Sequence, residues 1–387
     1  MKIGINASFA RKEDTGIGQY TINLVKALIC LADEDSFCLY FEDRESQRLF
    51  PDAKNIRKRT LITPLYHRDD LIRKTAWERV MLPREVKRDK PDIFFSPYNA
   101  ATLIPLVKHV MTLHDVVWKI YEKEYINNFR KSLYAKQVYE AVKRASHLIT
   151  VSEYSKKEIV KYLGIDALGI SVVKNGVSKS FQYLENRRAV VERLQQLGID
   201  VPYLFYIGGF EKRKNVEMLL GAFKTIVENY GTVLGPRKLV IAGHLWDHDD
   251  PLVTNVKKVV AELGISDHVI LLGAVKDEDR VILYNGADLL VFPSLYEGFG
   301  MTVVEAMASG CPVLASSRAA TPEIAKDAVE YFNPDRVDEL VQHLIKMLSD
   351  STLRSELSRR GIYRAMEFSW ESAGKKVLDI FHTIANQ

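Results

Sequence analysis

The stretch Tyr296 to Ser316, YEGFGMTVVEAMASGCPVLAS, sets Glu297 and Glu305 eight positions apart, with Gly-Phe-Gly directly after the first. Paired carboxylates can serve glycoside hydrolysis, bind a metal, or open a helix. The surroundings separate these readings. LLVFPS, Leu289 to Ser294, reads as a buried strand, and a helix follows from near Phe299 to Ser309 with Gly310 as its left-handed stop. Glu297 then stands just before the helix and Glu305 about two turns inside it, too far along to share one proton with it. Gly298 and Gly300 let the backbone approach a ligand, and the free N–H groups of a helix start favour phosphate. The plainer alternative is a capped helix with one acid at its start and one on its solvent face. The Gly-Phe-Gly segment, the strand before it and ASGCPVLAS after it weaken that alternative.

Three further motifs carry reactive side chains. In YIGGFEKRKN a strand ends at Gly208-Gly209, and a basic loop with Arg213 and Lys214 leads into a helix. A cation pair there makes an anion site, although on its own it is also what a solvated pair before a helix looks like. In MTLHDVVW, His114 and Asp115 follow a buried strand; a lone His-Asp is equally a turn with a satisfied core histidine. In TGIGQYTINLVKAL, Gly16 and Gly18 lack the third glycine of a dinucleotide fingerprint. Asp277-Glu278-Asp279 fits a metal-binding D-x-D pattern, but it precedes the helical RVILYNGA, where capping and the helix dipole account for the acids. No metal is expected.

The elements that must position these residues alternate. KIGIN, FCLYF, DIFFS, HVMTL and HLITVS in the first half, and LFYIGG, KLVIAG, HVILLG, LLVFPS and CPVLAS in the second, are short apolar runs separated by helical patterns. Strands apolar throughout suit parallel sheets covered on both faces. Two such series in 387 residues predict two doubly wound α/β domains, with the boundary at the Asn175-Gly176 turn. Ligands of open α/β sheets bind beyond the carboxyl ends of the strands, which is where the glycines and charges fall.

In this order, and over nearly the whole chain, the motifs resemble retaining glycosyltransferases of the GT-B fold, family 4, and among them bacterial mannosyltransferases of surface polysaccharide synthesis. The resemblance implies two Rossmann-like domains facing a deep cleft. Residues 1–177 would form the acceptor domain, joined by a C-terminal helix of about 371–387 that crosses back to it. Residues 178–370 would form the nucleotide-sugar donor domain. It implies that Glu297 contacts donor-sugar hydroxyls and Glu305 the ribose. The amides of Phe299, Gly300 and Met301 would face the sugar and diphosphate, with Ser294 and Thr302 in the same donor-binding segment. Arg213 and Lys214, beside Gly208 and Gly209, would neutralise the leaving diphosphate. Many members carry an arginine where this chain has Gly209, and Arg213 is the alternative bearer of that charge. His114, by ring or carbonyl, would lie near the anomeric carbon. Gly16 and Gly18 would open a helix facing the diphosphate. Val275, with Ala274, would hold the base, and residues 152–155 would line the cleft.

The donor expected is GDP-mannose, because Gly-Gly-x-x-x-Arg-Lys-Asn together with TGIGQY resembles those mannosyltransferases. A UDP-hexose or dTDP-rhamnose is the alternative, and a non-catalytic nucleotide-binding partner is a more distant one. The expected acceptor is a glycan or lipid-linked saccharide, with no cofactor beyond the donor. The absence of an evident nucleophile favours a front-face route to retention.

Composition sets the remaining bounds. Three cysteines without metal spacing, no apolar run long enough to span a membrane, and an opening MKIGINASFARKEDTG unlike a signal peptide give a cytoplasmic expectation. Residues 1–180 hold 31 Lys+Arg against 22 Asp+Glu, a charge of +9, whereas the remainder carries −5. The basic half calls for an anionic partner. LIRKTAWERVMLPREVKRDK, residues 71–90, mixes Trp77, Val80, Met81 and Leu82 with cations and reads either as an interfacial element on anionic lipid or as a solvated helix with an ordinary core face. No aromatic-basic platform suggests nucleic acid.

Overall fold

A computed structural model of the chain describes residues 1–32, 34–62, 70–126, 128–246 and 250–387. The chain divides into two compact units, Met1–Gly176 with Ser369–Gln387, and Val177–Phe368.

Among the described residues, unit one is built on a seven-stranded sheet. Its strands are β1 (Lys2–Asn6), β2 (Ser36–Phe41), β3 (Ile56–Thr60), β4 (Ile93–Ser96), β5 (Lys108–Thr112), β6 (His147–Thr150) and β7 (Ile170–Val172). They lie in the order β3-β2-β1-β4-β5-β6-β7, every pair parallel. Unit two has a six-stranded sheet of β8 (Tyr203–Ile207), β9 (Lys238–Ala242), β10 (Val269–Gly273), β11 (Leu289–Phe292), β12 (Val313–Ser316) and β13 (Glu330–Phe332). Its order is β10-β9-β8-β11-β12-β13, again all parallel. In each sheet the crossovers run one way from the first strand and then reverse. That creates a switch point between β1 and β4 and another between β8 and β11, the positions where doubly wound sheets open a crevice for ligands.

The central strands are buried on both faces, which is why they read as uninterrupted apolar runs. The strands without such a run, β3, β7 and β13, all lie at sheet edges. There one side lacks a neighbour, and a basic IRKRT or a three-residue strand is enough.

The last helix, Trp370–Ala385, belongs to unit one. Gly374 lets it close on Ala27 and Leu31 of helix Gly16–Leu31, Phe381 packs on Phe95 at 5.2 Å, and Lys108 Nζ donates to the carbonyls of Ile384 and Ala385 at 2.9 Å each. The two passages between units run side by side. A Cβ on Gly176 would collide with the Trp370 backbone, and the Val177 amide donates to the Phe368 carbonyl at 3.1 Å. Within residues 71–90, Trp77, Leu82 and Val86 pack inside unit one with Cys38, Tyr40 and Phe94. Trp77 and Leu82 therefore belong to an ordinary core face and Met81 packs partly against it, whereas Val80 is exposed. Arg79, Arg84, Lys87 and Arg88 are exposed beside it.

Candidate active site

In unit two the two motifs that follow β8 and β11 meet at the switch point. Gly208 leaves β8 with φ +155°, its amide donating to the Ala242 carbonyl, and the chain turns through Gly209 into a short 3-10 helix, Lys212–Lys214. Asn215, at φ 57°, then starts helix Val216–Leu234. The basic turn is fastened to the β11 loop by backbone, Leu295 N–H donating to the Arg213 carbonyl at 2.7 Å. Lys214 Nζ donates to Glu297 Oε1 at 2.6 Å, and Arg213 Nη1 lies 3.5 Å from Glu297 Oε2 and donates to the Tyr296 carbonyl at 3.1 Å. Each cation thus holds one carboxylate oxygen. Burial alone would push the Glu297 carboxyl up; the charges of Lys214 and Arg213 outweigh it, and the group sits below its ordinary value. The constellation is an ionised carboxylate between two fixed cations, with a second carboxylate, Glu211 Oε1, 3.5 Å from Arg213 Nη2.

The helix that follows runs Met301–Ala308, two residues later than the sequence pattern suggests. Gly300 occupies its N-cap at φ 92°, a left-handed conformation that glycine adopts freely, so Phe299 stays in the loop. Gly310 at φ 71° closes the helix, its amide donating to the Met307 carbonyl and that of Cys311 to Ala306, the paired bonds of a Schellman end. Ser294, Phe299 and Gly300 are buried in this segment, and Met301 and Thr302 form the half-buried first turn. Val275 lies in the loop after β10.

Glu305 is buried within the helix, where Arg280 donates to Oε2 and Tyr284 Oη donates to the same oxygen at 3.0 Å. Burial raises its carboxyl above the ordinary value, and those two partners recover only part of the shift. Glu297 and Glu305 are therefore two separate sites with opposite electrostatics, and neither is a carboxylate neighbour of the other. Sequence reasoning missed Arg280 and Tyr284. Their i,i+4 spacing on helix Asp277–Gly286 is visible in the chain, but the partner 25 residues on from Arg280 is not. The Asp-Glu-Asp decoy at the start of that helix is occupied by cations: Asp277 pairs with Arg280 at 2.8 Å and Asp279 with Arg193 at 2.7 Å.

In unit one, His114 follows β5 and is fixed on three sides. Its Nε2 lies 2.9 Å from the Pro97 carbonyl, its ring meets Tyr20 edge-on at 4.5 Å, and its own carbonyl accepts from Ser155 Oγ at 3.0 Å. A carbonyl only accepts, so Nε2 carries the proton and Nδ1 of the neutral ring is the acceptor. Burial lowers the imidazole below its ordinary value, which keeps it neutral at pH 7. Gly16 and Gly18 open helix Gly16–Leu31, capped by Thr15 Oγ1, which accepts from Gly18 N–H at 3.1 Å. The two glycines differ. A Cβ on Gly18 would collide with the Lys12 carbonyl, whereas one on Gly16 would meet nothing within 4 Å.

The sequence matches two family models, Glycosyltransferase Family 4 over residues 15–181 and Glycosyl transferases group 1 over residues 192–364. A curated relative, O-antigen chain mannosyltransferase B of Escherichia coli, is 30% identical over 380 residues, 95% of this chain and 96% of its own. Among solved structures, sucrose-phosphate synthase from Thermosynechococcus elongatus superposes with a TM-score of 0.78 at 18% identity over 99% of both chains. Anabaena HepE in complex with UDP-glucose gives 0.75 at 17% identity, over 99% of this chain and all of its own. These likenesses show the fold, GT-B.

Proposed function

Because the chain belongs to the group 1, family 4 glycosyltransferases and is of the O-antigen mannosyltransferase type, we propose that it transfers mannose from GDP-mannose, with retention, to a glycan or lipid-linked saccharide. The observation that carries the reading is the fixed set of Lys214, Arg213 and Glu297 at the β8/β11 switch point. Cleaving the bond from the anomeric carbon to the diphosphate leaves negative charge on the leaving oxygen, so preorganised positive charge there is the largest contribution a protein can make. Lys214 and Arg213 supply it, and the amides after Gly300 add to it. Glu297, ionised between them, accepts from the sugar hydroxyls and aligns the anomeric carbon. Glu305, on its own helix turn, takes the ribose. His114 offers a neutral ring and a fixed carbonyl to the reacting sugar. The two cations carry the charge neutralisation that a divalent metal would otherwise provide, and no cofactor enters this reading.

The name of the full-length relative supports mannose. A UDP-hexose is the second reading, supported by the UDP-glucose complex of a protein of the same fold. Thermal-shift titration with GDP-mannose, UDP-glucose and dTDP-rhamnose separates them. A ligand at 100 times its dissociation constant raises stability by about 2.7 kcal/mol. GDP-mannose is expected to give the largest shift, and no shift with any of the three would remove the donor-site assignment. Among the described residues no helix is long and apolar enough to cross a membrane. A lipid-linked acceptor would be met from the surface, through exposed cations such as Arg79, Arg84, Lys87 and Arg88.

A further inference from the structure

Glu305 is bonded unevenly. A carboxylate has about four acceptor positions spread over its two oxygens. Arg280 Nη2 and Tyr284 Oη both donate to Oε2, the latter at 3.0 Å, and fill it. Among the described residues Oε1 has no hydrogen-bond partner and is not enclosed, while 6% of the side chain stays exposed. The two donors are held independently of the carboxylate they serve. Arg280 Nη1 donates to Asp277 Oδ1 at 2.8 Å, and its guanidinium lies 5.1 Å from the Phe181 ring. Tyr284 is fully buried, edge-on to Phe205 at 5.4 Å and to Phe181 at 6.0 Å. Both donors stand on helix Asp277–Gly286, which begins directly after the loop that bears Val275.

Packing does not account for this arrangement. Glu305 shares its helix with buried Val303, Val304, Ala306 and Met307, and an apolar side chain of similar volume in its place would avoid the desolvation of two charges. Nor does the ion pair need Tyr284, whose hydroxyl takes a second position on the oxygen that Arg280 already holds. One oxygen is saturated by the protein, and the other keeps its acceptor positions unfilled. Hydroxyl donors on two neighbouring carbons match that vacancy. We propose that Arg280 and Tyr284 are positioning residues of the nucleotide site, which saturate Glu305 Oε2 so that Oε1 alone receives the 2′- and 3′-hydroxyls of a ribonucleoside diphosphate. A 2′-deoxyribonucleotide leaves one of those positions unpaired in a nearly enclosed setting, and the site discriminates against it. This rests on the transferase reading, with Glu305 as its ribose contact, and narrows the donor class. GDP- and UDP-linked sugars fit, and dTDP-linked sugars, which lack the 2′-hydroxyl, are disfavoured.

The test uses the full chain and two nucleotide pairs, GDP with 2′-deoxy-GDP and UDP with 2′-deoxy-UDP, titrated by calorimetry at fixed pH and ionic strength. The native chain is expected to bind the ribo form of its preferred base about tenfold more tightly than the deoxy form, the worth of one charged hydrogen bond. Tyr284→Phe keeps the ring and its packing and removes only the hydroxyl. Oε2 then regains an acceptor position and the carboxylate its freedom to turn, so the ribo-over-deoxy preference is expected to fall about threefold. Arg280→Gln is expected to lower it as well, and Arg280→Lys, which keeps a cation, to lower it less. Folding of each variant is checked by circular dichroism and thermal melting. A purely structural role would lower the melting temperature and leave the preference as it was, so an unchanged preference in Tyr284→Phe overturns the proposal whatever the stability. Binding without any ribo preference in the native chain also overturns it, by taking the ribose away from Glu305, and leaves the diphosphate contacts of Lys214 standing. Binding of none of the four nucleotides removes the donor reading itself. Failure of that reading and failure of this inference therefore show in different measurements.

Discussion

Glu297 and Glu305 look alike in the chain, yet their surroundings push their carboxyls in opposite directions. Two cations hold Glu297 ionised, so removing its charge while keeping its shape tests a catalytic contact. Glu297→Gln is expected to lower kcat by about 10²-fold, the scale of one preorganised electrostatic contact, with a smaller change in donor KM. Steady-state kinetics with varied donor check this; a pure KM effect would contradict it. For Glu305 the informative partner is Arg280. Arg280→Met leaves a buried carboxylate with Tyr284 and no cation, and about 3–5 kcal/mol of stability is expected to be lost in urea unfolding. Adding Glu305→Gln is expected to recover much of that loss.

At the scale of elements, the glycine loop separates packing from function. Gly18→Ala forces the Lys12 carbonyl aside and is expected to lower the melting temperature, whereas Gly16→Ala meets open space and should leave it nearly unchanged. A loss of activity in Gly16→Ala at unchanged stability would mark space kept for a ligand. Strand β5 carries a second test. His109 lies buried against Ser96 Oγ at 3.0 Å, and burial lowers its pKa to about 3. The unfolded chain takes up the proton near pH 6.5. Between those values the unfolded state binds more protons, so stability falls as pH is lowered through that window, by about 2 kcal/mol at pH 5. Buried His114 and half-buried His147 act in the same direction. Urea midpoints at pH 7 and pH 5 are expected to lie closer together in His109→Gln than in the native chain.

The whole molecule consists of two units with a discontinuous boundary. Unit two is one continuous segment, Val177–Phe368, with its own core from Leu204 through Phe223 to Leu357. Unit one needs the last helix, which covers Ala27, Leu31 and Phe95 and bonds to Lys108. Deleting 369–387 is therefore expected to destabilise unit one selectively. Calorimetry of the truncated chain should show one transition displaced to lower temperature and a second, from unit two, retained; a uniform shift of both would argue against the division.

Much of this was legible in the chain because central parallel strands are buried on both faces and must be apolar throughout. The ten runs, the glycines at the ends of β8, β9 and β10, and the placing of Glu297, Lys214 and His114 beyond the strands are visible in that pattern. The edge strands β3, β7 and β13 escaped because one-sided pairing imposes no such pattern. Trp77 and Leu82 read equally well as lipid-facing or core, since amphipathic spacing does not say what covers the apolar face; Cys38, Tyr40 and Phe94 cover it. Arg280 with Glu305 and Ser155 with the His114 carbonyl join residues far apart in sequence. The sequence by itself determined which residues follow which strand. Only the tertiary structure decided which charges share a site, because Coulomb energy and desolvation depend on distance and burial in space, and the order of residues records neither.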